Sequence, residues 1–346
     1  MNEALGGRAM GPVLVLVEQH EGNGDTVQSR TYELLTIARR FGDPVAVARH
    51  PVDAACVAAL GRYGATRVCV VESAVPGASP AVVAVAGLAE LAWQMSAVAV
   101  LIGSGREGRE VAARTSVRLG AGIVTDAVDV RPGPGGPVTV QDVCEGAYRV
   151  ESVVRGDSPV ITVAPGAVAA VPDPAVPVVE RVRVRPAEPA CAVRVVARTP
   201  KTRRPGVAGA AVVVAGGRGV GSADGFALIE KVADALGGAV GGTHAAADHG
   251  WCPPDALIGQ TGAIVHPRLY LACGISGSVH HRAGMRHAST IVAIDKDPSA
   301  PIFRIADVAV VGDLHEVLPA LLAELDRQRR QPCGVEETAA ADTAVT

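Results

Sequence analysis

Short apolar runs alternate with longer amphipathic stretches along most of this chain. "PVLVLVE" (12–18) and "TRVCVVE" (66–72) are apolar at consecutive positions and rich in valine, as strands buried on both faces are. "SRTYELLTIARRFG" (29–42) and "VDAACVAALGRYGA" (52–65) repeat apolar residues at helical spacing and stop at glycine. Residues 79–103 are long and apolar with Glu90 as the single charge, long enough to raise the question of a membrane span. Within them "AVVAVAGLAELAWQ" has helical character and "SAVAVLIG" is a short β-branched run ending in glycine, so a helix followed by a strand is predicted. Strands interleaved with helices of this length imply a parallel sheet with right-handed crossovers.

After the helical stretch at 108–122 the pattern changes. "IVTDAVDV", "GPVTVQDV", "AYRVESVVR" and "SPVITVAPG" predict strands separated by turn residues, taken together as an antiparallel extension of the first sheet. Residues 166–206 are rich in Pro, Val and Arg, a composition that predicts a solvated connector between domains. A second alternating block follows: a strand at 210–215, a helix at 224–236, strands at 267–274, 289–297 and 306–313, and a closing helix at 314–328. The predicted fold is therefore α/β with two doubly wound domains, 1–165 and 207–328, joined by 166–206 and followed by a tail at 329–346 with few large apolar residues, expected to be disordered.

Composition narrows the function. With 49% hydrophobic residues the 346-residue chain can bury substantial cores, and domains of ~100–200 residues make two the natural count. A net charge of -3 and only 3% aromatic residues give neither the basic footprint nor the stacking surface of a nucleic-acid binder. The seven cysteines form no Cys-x-x-Cys pair and mostly sit in apolar contexts, which suits core residues in a reducing compartment. The apolar run before Glu18 is too short for a signal peptide, so a cytoplasmic location is expected.

Two glycine loops follow strands and could hold phosphate. "GSGREG" (103–108) has the dinucleotide-loop spacing but lacks a second strand ending in an acidic residue at the expected distance, so a tight strand-to-helix turn is the simpler reading and NAD binding the alternative. "GGRGVG" (216–221) adds Arg218, whose planar guanidinium suits phosphate. Other polar clusters fall after strands of the second block: "GGTHAAADHG", "GQTG", "GISGSVHH", Asp295 and Asp313. Ligands of open α/β sheets bind at such strand ends, so these segments together predict a polar groove sized for a dinucleotide. The spacing of His244, His249, Cys252, His280 and His281 matches no zinc pair, and there is no Gly-x-Ser-x-Gly elbow.

"PRLYLACGISGSVHHRAGM" followed by "TIVAIDKDPSAPIFRIADVAVVGDL" resembles the C-terminal signature of the electron transfer flavoprotein alpha-subunit family, with "GQTG" and "GGRG" in the family's order. The resemblance is strong over 207–328 and weaker in the first domain, through "VLVLVEQ", "IVTDAVDV" and "VITVAPG". It implies a second domain, Rossmann-like or flavodoxin-like, that binds FAD, and a first domain that packs on a beta subunit which can hold AMP. It further implies an electron carrier without its own substrate turnover, linking dehydrogenases such as acyl-CoA dehydrogenases to a membrane quinone reductase in fatty acid oxidation. By the same resemblance Arg218 and Thr243 lie on the phosphate side and Ile258, Gly259, Gln260 and Thr261 border the flavin. Ser276, Gly277, Ser278, Val279, His280 and His281 form the turn at the cofactor, His281 standing where the family histidine bonds an isoalloxazine carbonyl, and Asp313 and Leu314 meet the adenosine end.

Three positions depart from that pattern: His244 replaces an arginine over the flavin, His280 a glutamine, and Asp295 an asparagine. A permanent cation near the flavin favours its negatively charged reduced form, whereas an imidazole does so only when protonated. A lower, more pH-dependent potential is therefore expected, with a flavin-free paralogue as the rival the same departures suggest.

Overall fold

The computed structural model describes residues 11–19, 27–49, 52–144, 148–154, 156–187 and 204–330. It divides into two compact units, one of residues 1–203 with the short segments 263–266 and 283–287, the other of 204–262, 267–282 and 288–346. The first unit runs β1 (Pro12–Leu16), α1 (Ser29–Ala38), β2 (Asp43–Ala48), α2 (Ala54–Arg62), β3 (Arg67–Ser73), α3 (Pro80–Met95), β4 (Ala99–Gly103) and α4 (Arg106–Leu119). It continues with β5 (Ile123–Ala127), β6 (Asp129–Arg131), β7 (Val138–Val143), β8 (Tyr148–Val153), β9 (Val160–Val163) and β10 (Val178–Val184).

Seven of these strands form one parallel sheet in the order β10-β3-β2-β1-β4-β9-β5. Strand alternation sends Val13 and Val15 into the layer with Leu34, Leu35 and Leu60 of α1 and α2, and Leu14 and Leu16 into the layer with Leu88 and Leu91 of α3 and Val111 of α4. Both faces of the sheet are thus covered, which explains why its strands are continuously apolar. The apolar stretch at 79–103 is α3 then β4, with Pro80 at the helix start and Ser96 left-handed (φ 51) at its end. No helix among the described residues is long and apolar enough to cross a membrane.

Two expectations need correction. The strands after residue 122 do not extend the main sheet in antiparallel fashion: β5 and β9 enter it in parallel, while β6, β7 and β8 form a separate three-stranded antiparallel sheet. Nor is 166–206 only a connector, because β10 within it forms the sheet's edge, pairing in parallel with β3 over Val178–Val184. Its prolines lie outside the strand, with Pro177 just before and Pro186 just after it, and valines and arginines alternate within it, turning Val182 and Val184 inward while Arg181 faces Glu72 at 2.9 Å. The predicted tail begins inside the last helix, whose final residues are Arg329 and Arg330, and from 331 on lies outside the described residues.

The second unit contains β11 (Val212–Gly216), α5 (Ala223–Leu236), β12 (Ala239–Gly242), α6 (His244–Asp248), β13 (Leu269–Cys273), α7 (Val279–Met285), β14 (Thr290–Asp295), β15 (Val308–Val311) and α8 (Leu314–Arg330). Its parallel sheet has the order β12-β11-β13-β14-β15, so the direction of winding reverses between β11 and β13. Phe226, Ile229 and Val232 of α5 and Leu314 and Leu318 of α8 pack with Val214, Leu271 and Ile294 on one face.

At the reversal the two strand-end loops touch through their backbones. Gly217 N–H donates to Cys273 O (3.0 Å) and Gly219 N–H to Gly274 O (2.9 Å). A Cβ on Gly274 would lie 2.8 Å from the Gly219 Cα, and Gly274 is left-handed at φ +60. Only glycine meets both conditions at no cost. Gly274→Ala should therefore lower unfolding stability by about 2 kcal/mol or more, measured by urea titration.

A second prediction concerns α1, where the Glu33 carboxylate accepts a hydrogen bond from Gly166 N–H at 2.8 Å. Burial pushes its pKa up from 4.5 to about 7, against the lowering effects of that bond and of Arg30. The folded state thus holds the proton more tightly than the unfolded one, and stability falls as pH rises from about 4.5 to 7, the cost being complete above that. Glu33→Gln should stabilise the protein by ~1–2 kcal/mol at pH 8 after allowance for solvent screening, and by almost nothing at pH 4.

Candidate cofactor site

In an open parallel sheet the crevice beyond the carboxyl ends, where the winding reverses, is the natural ligand site. Four segments of the second unit meet there. The loop after β11 carries Arg218 in a single 3-10 turn, Arg218–Val220, with its side chain exposed and, among the described residues, no ion-pair partner. Ser222 then caps α5 by accepting from Gly225 N–H at 3.0 Å, which aims the positive end of a fourteen-residue helix at the same loop.

From β12, Thr243 N–H donates to Gly216 O (3.1 Å), and its hydroxyl caps α6 through Ala246 N–H (3.3 Å). His244 opens α6 with its side chain 72% exposed and Nε2 3.9 Å from Asp248 Oδ2. The third segment is tied to β12 by Ile258 N–H donating to Gly242 O (2.9 Å), and Gln260 N–H donates to His280 O (2.8 Å). Gly259, at φ +150, lies against that same His280 carbonyl, and Gln260 and Thr261 are exposed.

The fourth segment follows β13. Gly277 is left-handed (φ +82) against Ile302, Ser276 O accepts from Ile302 N–H, and Ser278 O accepts from His281 and Arg282 N–H to start α7. Ser276, Ser278, Val279 and His280 are exposed, whereas His281 is 4% exposed. His280 Nδ1 lies 2.7 Å from Gln260 Oε1. His281 Nδ1 lies 3.1 Å from Ile258 O and its Nε2 2.9 Å from the hydroxyl of Tyr270. Burial pushes the His281 pKa down from 6.5 to about 4, only partly offset by the Ile258 carbonyl. Both ring nitrogens are thus engaged within the protein, and a bond from His281 to an isoalloxazine carbonyl would require one of them to break.

Asp295 and Asp313 end β14 and start α8, Asp295 O accepting from Gly312 N–H at 3.0 Å. Their carboxylates cap local turns at Asp297 N–H and His315 N–H, and Leu314 is buried beneath. The start of α8 adjoins that of α5, since a Cβ on Gly225 would lie 3.1 Å from the His315 ring. The structure therefore joins Arg218 to the 274–281 turn and the 258–261 loop to His280 and His281. His244 lies instead along the β12 edge and Asp313 near the opposite one.

These residues fit a flavin dinucleotide. Around Gly221, left-handed at φ +83, nothing lies within 4 Å of where a Cβ would be, so the loop presents open backbone beside an unopposed guanidinium. Such a donor set suits a pyrophosphate, and a carboxylate at a strand end suits ribose hydroxyls. The "GSGREG" loop is different: a Cβ on Gly103 would lie 2.1 Å from the Glu18 carboxylate, and one on Gly108 1.9 Å from Gly103 O. Gly103 and Gly108 thus give room to a side chain and to backbone of the protein itself, which removes support from the NAD reading. Tyr270 escaped notice in the sequence, although a tyrosine inside "RLYLAC" is the signal of a buried hydroxyl needing a partner.

Comparison with known proteins gives the family. Residues 206–286 match the family model described as the electron transfer flavoprotein FAD-binding domain, and residues 13–198 match the electron transfer flavoprotein domain. The electron transfer flavoprotein subunit alpha of Mycobacterium leprae is 45% identical over 317 residues, covering 90% of this chain and 97% of that protein. That of Mycobacterium tuberculosis (strain H37Rv) is 46% identical over 320 residues with the same coverage. The subunit alpha of Paracoccus denitrificans is 54% identical over 122 residues, 35% of this chain and 40% of that protein. The chain, with its FAD-binding domain, belongs to the electron transfer flavoprotein alpha-subunit family.

Proposed function

We propose that this chain is the FAD-holding half of a heterodimer, its first domain packed on a beta subunit. The heterodimer takes electrons from dehydrogenases of the acyl-CoA dehydrogenase type and passes them to a membrane quinone reductase. The observation that carries this reading is the pair of glycine loops at the strand reversal, held together by backbone hydrogen bonds beside an Arg218 with no ion-pair partner among the described residues.

Bound FAD supplies the one- and two-electron chemistry, and the protein supplies position and field. Arg218 and the start of α5 hold the pyrophosphate, with Thr243 close to them at the end of β12. Ile258, Gly259, Gln260 and Thr261 form one wall of the flavin pocket, and Ser276, Gly277, Ser278, Val279, His280 and His281 form the facing turn. Asp313 and Leu314 support the adenosine end. An electron carrier needs no acid and base for substrate turnover, and the crevice suits that role. The beta subunit holds AMP in this reading.

Co-expressed with its beta partner, the protein should purify yellow and release FAD on denaturation, and an acyl-CoA dehydrogenase with its substrate should bleach it. Colourless protein that releases no FAD would favour the flavin-free paralogue. A second prediction follows from His244: placing a permanent cation there by His244→Arg should raise the flavin's first one-electron potential at pH 8 by roughly 40 mV, the equivalent of about 1 kcal/mol for one nearby charge in a wet site. An unchanged potential in a redox titration would rule out a role for His244.

A further inference from the structure

Of the five histidines in the second unit, four have a partner for the ring. His244 faces Asp248, His249 stacks on Trp251, His280 meets Gln260, and His281 lies between Tyr270 and the Ile258 carbonyl. His315 differs: it is exposed, and its ring nitrogens have no hydrogen-bond or ion-pair partner among the described residues. Its backbone is nevertheless fixed. Asp313 Oδ1 accepts from His315 N–H at 2.8 Å, and Asp313 O accepts from Glu316 and Val317 N–H, so the first turn of α8 is tied to the chain that enters it. The ring then lies beside the first turn of α5, its Cε1 3.1 Å from where a Cβ on Gly225 would be. Leu314 completes the link, since a Cβ on Gly274 would lie 2.8 Å from its Cδ2, and the Gly274 carbonyl accepts from Gly219 N–H next to Arg218. Arg218 and His315 are therefore two exposed side chains, neither with an ion-pair partner among the described residues, on one backbone junction at the strand ends.

We infer that His315 is a further cofactor-binding residue, whose ring meets the adenosine half of FAD and favours FAD over FMN, which lacks that half. The inference deepens the FAD reading above and rests on it. A neutral imidazole offers one donor and one acceptor, and adenine and ribose present partners of both kinds. Its ring plane also suits the face of a purine. The second oxygen of the Asp313 carboxylate, which has no partner among the described residues, is an acceptor for a ribose hydroxyl beside it. Arg218 and the start of α5 take the phosphates in this arrangement. The strand order keeps these roles apart: α8 follows β15 at one edge of the sheet, whereas the 258–261 loop is tied to β12 at the other. His315 thus acts on cofactor affinity and not on the flavin's potential.

Two measurements on the heterodimer test the inference. With FAD removed and titrated back, His315→Ala should raise the FAD Kd about tenfold, leave the FMN Kd within about twofold of wild type, and leave the flavin potential where it was. His315→Gln, which keeps a donor and an acceptor, should recover part of the FAD affinity. An unchanged FAD Kd in His315→Ala would overturn the inference. So would an equal loss for FAD and FMN, because it would mean that the ring only props α5 against α8. The second measurement needs neither variant nor FMN: in nitrogen-15 NMR of the FAD-free wild type, the His315 ring signals should move when ADP is added. Signals that stay in place would overturn the inference even if His315→Ala fails to fold. A heterodimer that takes up no FAD would refute the proposed function, while the response of His315 to ADP would still decide the placement of its ring.

Discussion

The site depends on two backbones coming closer than any side chain allows. Gly217 and Gly219 on one loop and Gly274 on the other approach so tightly that added methyl groups would overlap backbone atoms. The approach closes two hydrogen bonds between loops that belong to neighbouring strands. It also leaves Arg218, Gly221 and Ser222 on the exposed side of the loop. Without this contact the strand reversal would still exist, but its two lips would be separate loops and not one cradle.

Burial then divides the polar groups into two kinds. Those on the rim, Arg218, Gln260, Ser276, Ser278 and His280, are exposed and free to meet a ligand. Those beneath, Tyr270 and His281, have their polar atoms matched to one another and to the Ile258 carbonyl. In a medium of low polarity an unmatched group is costly, so a buried polar pair of this kind fixes one arrangement and transmits it to the wall above. The rim thus reads in the sequence as a run of serines and glycines, while the pair beneath it ties β13 to the Ile258 backbone.

The first unit shows the same physics used for a different end. Its "GSGREG" loop also contains glycines placed at a strand end, yet they receive the Glu18 carboxylate and the backbone of α4. Arg30, 3.5 Å from Glu18, balances that charge within the protein. A glycine spacing alone therefore does not distinguish a phosphate cradle from a packing joint, because both need backbone without side chain. What fills the space distinguishes them, since Glu18 and backbone occupy it at Gly103 and Gly108 while nothing lies within 4 Å at Gly221.

Local periodicity determined much of this protein. The alternation of apolar runs and amphipathic stretches specified strands, helices and two α/β domains, because which faces are buried is written into residues two or four positions apart. The strand-end glycines and Arg218 were also legible, since they lie next to the strands that present them. Only the tertiary structure decided what depends on distant partners. Strand β10 reads as a basic, proline-rich connector until β3 lies beside it, and β6 to β8 can be assigned to their own sheet only once their pairing is known. The two histidines are equivalent as letters, and what separates them is burial and Tyr270, eleven positions from His281, whose buried hydroxyl lies 2.9 Å from the His281 Nε2 while His280 stays exposed.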